Sequence, residues 1–103
     1  MRFMVKCTIP NKIANPQIKS GTLFKQLMKY VDDVKPEAVY FAPSEGQRTI
    51  YFVLDMPSID KMAQVTEPPW LDWEADVSIT PVMTLTDLEK SGQDMDKIVR
   101  DRR

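Results

Sequence analysis

The pattern of apolar and polar residues along the chain predicts four strands. The most strand-like run is Thr49 to Asp55, in which five of the seven residues are β-branched or aromatic. This run is apolar on both parities, which is typical of a central strand that is covered on both faces. The other strands are predicted at residues 1–9, 37–42 and 75–84, and Pro81 places the last of them at a sheet edge or a bulge.

Helical spacing of apolar residues predicts a first helix between the first two strands. Residues 10–16 contain two prolines and are predicted to be a loop. From Thr22 the apolar side chains recur at the helical period, with Leu23, Leu27 and Val31 on one stripe and Phe24 and Met28 beside them. Pro36 ends the helix, because the residue before a proline is disfavoured in the α region.

Two further helices are predicted in the second half of the chain. One runs from Ile59 to about Thr66 and ends at Pro68-Pro69. The other begins at the capping box Thr86 to Glu89 and carries an apolar stripe of Leu88, Met95 and Val99.

The resulting element order, β-α-β-β-α-β with a C-terminal helix, predicts an α+β fold of the ferredoxin-like type. A short turn over residues 43–46 joins the second and third strands as a hairpin. The expected sheet is antiparallel and four-stranded, with the spatial strand order 4-1-3-2. We expect residues 1–84 to form this domain and residues 85–103 to form a helical extension.

The two faces of the sheet differ in character. The helix that begins near Thr22 and the helix that begins at Ile59 are both expected to cover the more apolar parity. This parity contains Phe3, Val5, Cys7, Ile9, Val39, Phe41, Ile50, Phe52, Leu54, Val77 and Ile79. We call the opposite parity the open face; it contains Met4, Lys6, Thr8, Tyr40, Ala42, Tyr51, Val53, Ser78, Thr80 and Val82. Its mixed composition is typical of a cleft wall or a subunit interface.

Composition narrows the function classes. The chain of 103 residues has no histidine, one cysteine and a net charge of −1. The lack of histidine removes the commonest general base and the usual haem ligand, so no metal site or cofactor is expected. No apolar run is long enough to span a membrane and no signal peptide is evident, so we expect a cytoplasmic protein without a membrane partner.

Charge is divided unevenly between the halves of the chain. The first half is basic and the second half acidic, although the two nearly cancel overall. This division is compatible with an ordinary solvated surface or with opposite ends meeting across a two-fold interface.

Several segments resemble the dimeric α+β barrel superfamily of small bacterial proteins. They are Met1-Arg2-Phe3-Met4-Val5, Gly46, Tyr51-Phe52-Val53-Leu54-Asp55, Trp70-Leu71-Asp72-Trp73 and Val77-Ser78-Ile79-Thr80-Pro81-Val82. The resemblance covers roughly residues 1–84 and is strongest to the uncharacterised members. The superfamily also includes cofactor-free monooxygenases, muconolactone isomerases and chlorite dismutases. Its branches with haem or a catalytic histidine find no matching position here, so no catalytic residue carries over.

Polar and aromatic residues of the open face are the candidate ligand-binding residues. They are Lys6, Thr8, Tyr40, Tyr51, Ser78 and Thr80. A desolvated lysine can act as a base or form a Schiff base, whereas a solvated lysine at a strand end is the simpler interpretation of Lys6. The two tyrosines suit ligand binding and interface packing equally well.

The remaining candidates have simpler structural interpretations. Cys7 is expected to be a buried, unreactive thiol, because its parity is apolar and no histidine activates it. The alternating carboxylates of Asp72, Glu74 and Asp76 are interpreted as a solvated segment rather than a cation site. Trp70 and Trp73 are interpreted as a hydrophobic plug over the sheet, with a ligand lid as the alternative.

Nucleic-acid binding is the least supported function. The third strand matches the RNA-binding consensus only at Arg48, Phe52 and Val53, and the net charge is −1.

Three hypotheses for function remain after these exclusions. The first is a homodimer that binds a small apolar or aromatic ligand in the cleft between paired sheets. The second is a cofactor-free enzyme, similar to a monooxygenase or a muconolactone isomerase, that uses the same cleft. The third is a structural or regulatory dimer whose barrel is filled by side chains. The residues alone do not decide whether the protein is an enzyme.

Overall fold

The sheet has the architecture that the sequence predicts. The computed structural model describes residues 1–103. It contains four strands: β1 (Arg2–Ile9), β2 (Ala38–Ser44), β3 (Gln47–Asp55) and β4 (Asp76–Val82). They form one antiparallel sheet in the order β2-β3-β1-β4, which confirms the predicted α+β class and strand order. The two central strands are therefore β1 and β3.

Five α-helices accompany the sheet. They are α1 (Asn11–Ser20), α2 (Thr22–Val34), α3 (Met62–Trp73), α4 (Leu85–Lys90) and α5 (Gly92–Arg100), and a 3-10 turn at Ile59–Lys61 leads into α3. None of these helices is long and apolar enough to cross a membrane.

The loop predicted at residues 10–16 is wrong, because this segment begins α1. The amides of Ile13 and Ala14 donate to the Pro10 carbonyl, and Pro16 is accommodated inside the helix. Gly21 separates α1 from α2 with a φ of 79°, a left-handed conformation that glycine adopts without steric cost. The first crossover is thus two helices joined at a glycine.

The predicted end of α3 at its two prolines is also wrong. The helix continues through Pro68 and Pro69 to Trp73. A proline has no amide hydrogen, so Pro69 leaves the carbonyl of Val65 without its intrahelical donor. The hydroxyl of Tyr30 on α2 donates to this carbonyl at 2.5 Å and takes that donor's place.

The core lies between the sheet and the helices, on the predicted face. Its buried members on the strands are Phe3, Val5, Cys7, Ile9, Ile50, Phe52 and Leu54. On the helices, Leu23, Tyr30, Val65 and Trp73 are buried against them, whereas Phe24 and Met28 are exposed. Phe41 departs from the prediction: it has the helix-face parity but is 56% exposed, because β2 is an edge strand that the helices do not fully cover.

The predicted hairpin between β2 and β3 is tight. Its two central residues, Glu45 and Gly46, have φ angles of 53° and 77°. Positive φ at both positions is the signature of a type I′ turn, whose twist matches that of the paired strands. The edge position predicted from Pro81 is confirmed, because β4 pairs only with β1.

The C-terminal helices extend away from the domain. Their capping box is at Thr84 and Asp87, two residues before the predicted one. Neither α4 nor α5 buries a side chain, and the radius of gyration of the chain is 17.5 Å. A compact domain of this length would have a radius of gyration of about 13 Å. The apolar stripe of Leu88, Met95 and Val99 is therefore left largely exposed.

Candidate functional site

A transverse row of four side chains crosses the open face of the sheet. Tyr40 on β2 lies opposite Tyr51 on β3, Tyr51 lies opposite Lys6 on β1, and Lys6 lies opposite Ser78 on β4. The ammonium nitrogen of Lys6 is 5.9 Å from the centroid of the Tyr51 ring, within the range of a cation–π interaction. The register thus brings four of the six candidate binding residues into one line.

The other two candidates lie in the neighbouring rows. Thr8 pairs with Thr49 and Asp76, and Thr80 pairs with Met4. All six candidates consequently share the open face. In the single chain this face is a surface rather than a closed site, since the principal cavities do not include any of the six residues.

Lys6 has no acidic partner on this face. The ion pairs of the chain join the Met1 amino group to Asp55, Arg2 to Glu37 and Lys29 to Asp33. The aromatic ring of Tyr51 is therefore the group that faces the Lys6 charge. Such an arrangement can hold a small aromatic or electron-rich group beside an ammonium.

The apolar side chains around the row remain accessible. Met4 is 51% exposed and Tyr40 is 69% exposed, and Val53 is half-buried between Met4 and Ala38 in the register. No helix covers them, because α1, α2 and α3 all pack on the other face. The open face thus offers an apolar surface with a cation and hydroxyl groups set into it.

The carboxylates of Asp72, Glu74 and Asp76 do not assemble a metal site. Asp72 lies in the last turn of α3, Glu74 ends that helix in a left-handed conformation, and Asp76 begins β4. The structure contains no group of three or more Cys, Asp or Glu side chains that could hold a metal ion.

Cys7 is fully buried in the core, as predicted from its parity. Burial raises the pKa of its thiol to about 11, and the Tyr30 hydroxyl opposes the shift. At neutral pH the group is therefore a protonated thiol, which is a poor nucleophile. The structure supports its interpretation as a core residue.

A buried polar cluster around Tyr30 was not predicted. The Tyr30 ring packs edge-on against Phe52 and Trp73, with centroid distances of 5.9 and 5.6 Å. Burial is the main cause that raises the pKa of Tyr30 above its ordinary value. The indole of Trp73 donates to Gln26 at 2.8 Å, so this tryptophan belongs to the core, whereas Trp70 is nearly half exposed. The helical spacing of Leu23, Leu27 and Tyr30 places Tyr30 on the apolar stripe of α2, and this is the sequence signal that could have indicated the cluster.

A cavity of about 350 Å³ lies on the helix-covered side of the sheet, which the sequence did not indicate as a site. It is bounded by α1 and α2 on one side and by the ends of β1, β2 and β3 near the hairpin on the other, and it is open to solvent. Residues of α1, α2 and three strands form its walls, and strand parity does not specify how these elements meet.

Comparison with known proteins establishes the family. Residues 1–96 match the family described as "Domain of unknown function (DUF3303)". The chain belongs to the DUF3303 family. The match includes α4 and part of α5, so the C-terminal helices fall within the family region. No curated protein is similar in sequence to this DUF3303 chain.

Solved structures support the fold of this DUF3303 protein. An uncharacterized protein from Thermotoga maritima shares 14% identity, with a TM-score of 0.53, and the match covers 80% of this chain and 96% of that one. At this identity the likeness shows the fold alone. A protein from Agrobacterium tumefaciens is 12% identical over 82% of this chain and 96% of that one, and its TM-score of 0.39 is too low to bear on the fold.

Proposed function

We propose that the protein is a homodimer formed through the open face of its sheet, and that it binds a small apolar or aromatic molecule between the two paired sheets. The observation that carries this proposal is the row of Tyr40, Tyr51, Lys6 and Ser78 on an uncovered, partly apolar face. Pairing two such faces would produce the dimeric α+β barrel that the sequence resembles.

The exposed apolar side chains support the dimer. Met4, Tyr40 and Val53 belong to one contiguous surface, and monomers rarely leave apolar patches beyond a few hundred Å² exposed. An obligate interface commonly buries about 2,000 Å² or more, which a four-stranded face and the C-terminal helices can contribute together.

The unpaired charge of Lys6 supports a ligand in that interface. An ammonium taken out of water is destabilising unless a partner compensates it, and Lys6 faces a ring rather than a carboxylate. An aromatic or electron-rich ligand beside Tyr51 would supply a partner. The hydroxyl groups of Thr8, Ser78 and Thr80 would orient its polar atoms.

The dimer is tested by sedimentation at micromolar concentration, with an expected mass of about twice 11.9 kDa. Val53→Asp places a carboxylate beside Met4 on the open face and should shift the protein toward monomer or unfold it. Lys25→Glu, on the exposed side of α2, is the matched charge change and should leave the dimer intact. A compact monomer of the wild-type protein would refute the interface.

The ligand is tested on the intact dimer with a panel of small phenols and aromatic acids by calorimetry. Tyr51→Ala and Lys6→Met should weaken binding while the mass stays dimeric. A dimer that binds none of the panel would leave the barrel filled by side chains and contradict the ligand part of the proposal. Turnover of a bound compound in the presence of oxygen would identify the monooxygenase alternative.

A further inference from the structure

The cavity on the helix-covered side of the sheet has an almost entirely apolar wall. Ile9 and Ile50 lie on the strand side, and Ile18, Leu23 and Leu27 lie on the helix side. Its volume of about 350 Å³ falls at the lower end of the range for small-molecule sites, about 300–1,000 Å³. It lies on the helix-covered side of the sheet, and its rim reaches Ala42 on β2, at the edge of the open face.

The mouth of this cavity is apolar as well. Ile18 is 45% exposed and Phe41 is 56% exposed, although both line the cavity. The three strand and helix residues Ile9, Leu23 and Ile50 are buried beneath them. A molecule in the cavity would therefore remove two large apolar side chains from water without displacing the core.

One cation, Arg48, belongs to the lining. Its Nη1 atom donates to the side-chain oxygen of Asn15 on α1 at 2.8 Å, and no carboxylate pairs with it. None of the lining residues is acidic. The guanidinium therefore keeps most of its donors available for an anionic group at the cavity.

Two hydrogen bonds hold this end of the cavity together. Besides the Arg48–Asn15 bond, the side-chain amide of Asn11 donates to the Gly46 carbonyl at 3.0 Å. Both join α1 to the β2–β3 hairpin. They set the position of Arg48 relative to the apolar walls before any ligand binds.

We propose that this cavity binds a free small molecule with an apolar body and a single carboxylate, which Arg48 holds. The planar guanidinium pairs with a carboxylate through two parallel hydrogen bonds, and this geometry favours carboxylates over uncharged groups. The apolar wall receives the rest of the molecule. This site is distinct from the ligand site proposed above, because none of Tyr40, Tyr51, Lys6 and Ser78 lines the cavity.

The probes are decanoate, decanol and decylamine, which share an alkyl chain and differ in charge, each used below its micelle concentration. Calorimetry should show decanoate binding about three- to fivefold more tightly than the alcohol, and more tightly still than the amine, since an ion pair to an exposed guanidinium contributes a preference of up to about fivefold. In heteronuclear NMR spectra, decanoate should shift the amides of Ile9, Leu27 and Ile50.

Three variants test the assignment. Arg48→Gln should weaken decanoate binding about three- to fivefold and leave decanol binding unchanged. Ile18→Trp should block the mouth and weaken both compounds. Lys25→Gln removes a cation from the outer side of α2 and should change neither.

The results that would contradict the carboxylate site differ from those that would contradict the dimer. Equal binding of decanoate and decylamine, or an unaltered affinity in Arg48→Gln, would overturn the assignment. Shifts confined to Lys6 and Tyr51 would place the compound on the open face instead and would also overturn it. Unfolding of a variant is checked by its NMR dispersion, and decanoate preference in the wild-type protein remains decisive in that case.

Discussion

Replacing Tyr30 by Phe tests how α3 continues through its two prolines. The change removes a hydroxyl that donates to the Val65 carbonyl at 2.5 Å, in a site where Tyr30 is only 4% exposed. The aromatic ring stays, so its packing against Phe52 and Trp73 is kept. The variant therefore loses only the hydrogen bond to the buried Val65 carbonyl, to which Pro69 cannot donate because it has no amide hydrogen.

The expected decrease in unfolding free energy follows from the Val65 carbonyl, which Tyr30→Phe leaves without a hydrogen-bond donor. Leaving a buried polar group unpaired costs about 1–3 kcal/mol of unfolding free energy. For a domain of this size, a loss of about 1.5 kcal/mol corresponds to a fall of about 6–12 °C in Tm.

Pro69→Ala completes a double-mutant cycle. The alanine introduced in this variant supplies an amide that can donate to the Val65 carbonyl, so Tyr30→Phe should cost less in this background than in the wild-type protein. The buried ring of Pro69 is itself lost, and the cycle separates that packing effect from the coupling. Unfolding free energies are measured by chemical denaturation. Equal costs of Tyr30→Phe in both backgrounds would refute the account of the freed carbonyl.

Three further outcomes concern other parts of the molecule. Cys7 should react with a thiol reagent only as fast as the protein opens, because its side chain is fully buried, and the same burial raises its pKa to about 11; rapid stoichiometric labelling of the native protein would contradict this. The hydrogen bond from the Thr84 amide lowers the pKa of Asp87 in the folded protein. The capping box therefore stabilises α4 fully at a pH above the unfolded pKa of about 4, and this stabilisation is lost as the pH falls through the lower folded pKa. Circular dichroism of the wild-type protein should therefore show a loss of helix in acid, and the Thr84→Ala variant should show this loss already at neutral pH. If the two proteins have the same spectra at neutral pH and in acid, the capping box does not stabilise α4. Glu45→Asn should raise the unfolding free energy by about 0.5 kcal/mol or more, since asparagine tolerates the left-handed conformation better than glutamate does. Gly46→Ala should lower the unfolding free energy, because alanine is strained at positive φ. Thermal melts in which Glu45→Asn destabilises the protein and Gly46→Ala stabilises it would exclude the type I′ turn.

The parity of the strands made much of the candidate site predictable. A strand points successive side chains to opposite faces, so the period of two assigned Phe52 to the core and Tyr51 to the open face without any tertiary information. The same reasoning placed Cys7 inside and Lys6 on the open face. The structure confirms these assignments and the strand order. It adds the register, which sets Tyr40, Tyr51, Lys6 and Ser78 in one row.

The ends of the helices were less predictable, because local signals compete with packing. Pro68 and Pro69 are strong helix breakers in isolation, yet α3 continues because Tyr30 on another helix satisfies a freed carbonyl. Thr84 and Thr86 both have a hydroxyl that can cap a helix, and the structure has the cap at Thr84, two residues after β4 ends.

The sequence by itself determined which side chains share a face, because that depends on backbone periodicity alone. Only the tertiary structure decided where separate elements approach one another. The cavity beside Arg48 lies where α1, α2 and the strands of the hairpin meet, and the hydrogen bond between Arg48 and Asn15 joins residues far apart in the chain. Long-range contacts of this kind leave no periodic trace in the sequence, so the pattern that located the open face could not locate the cavity.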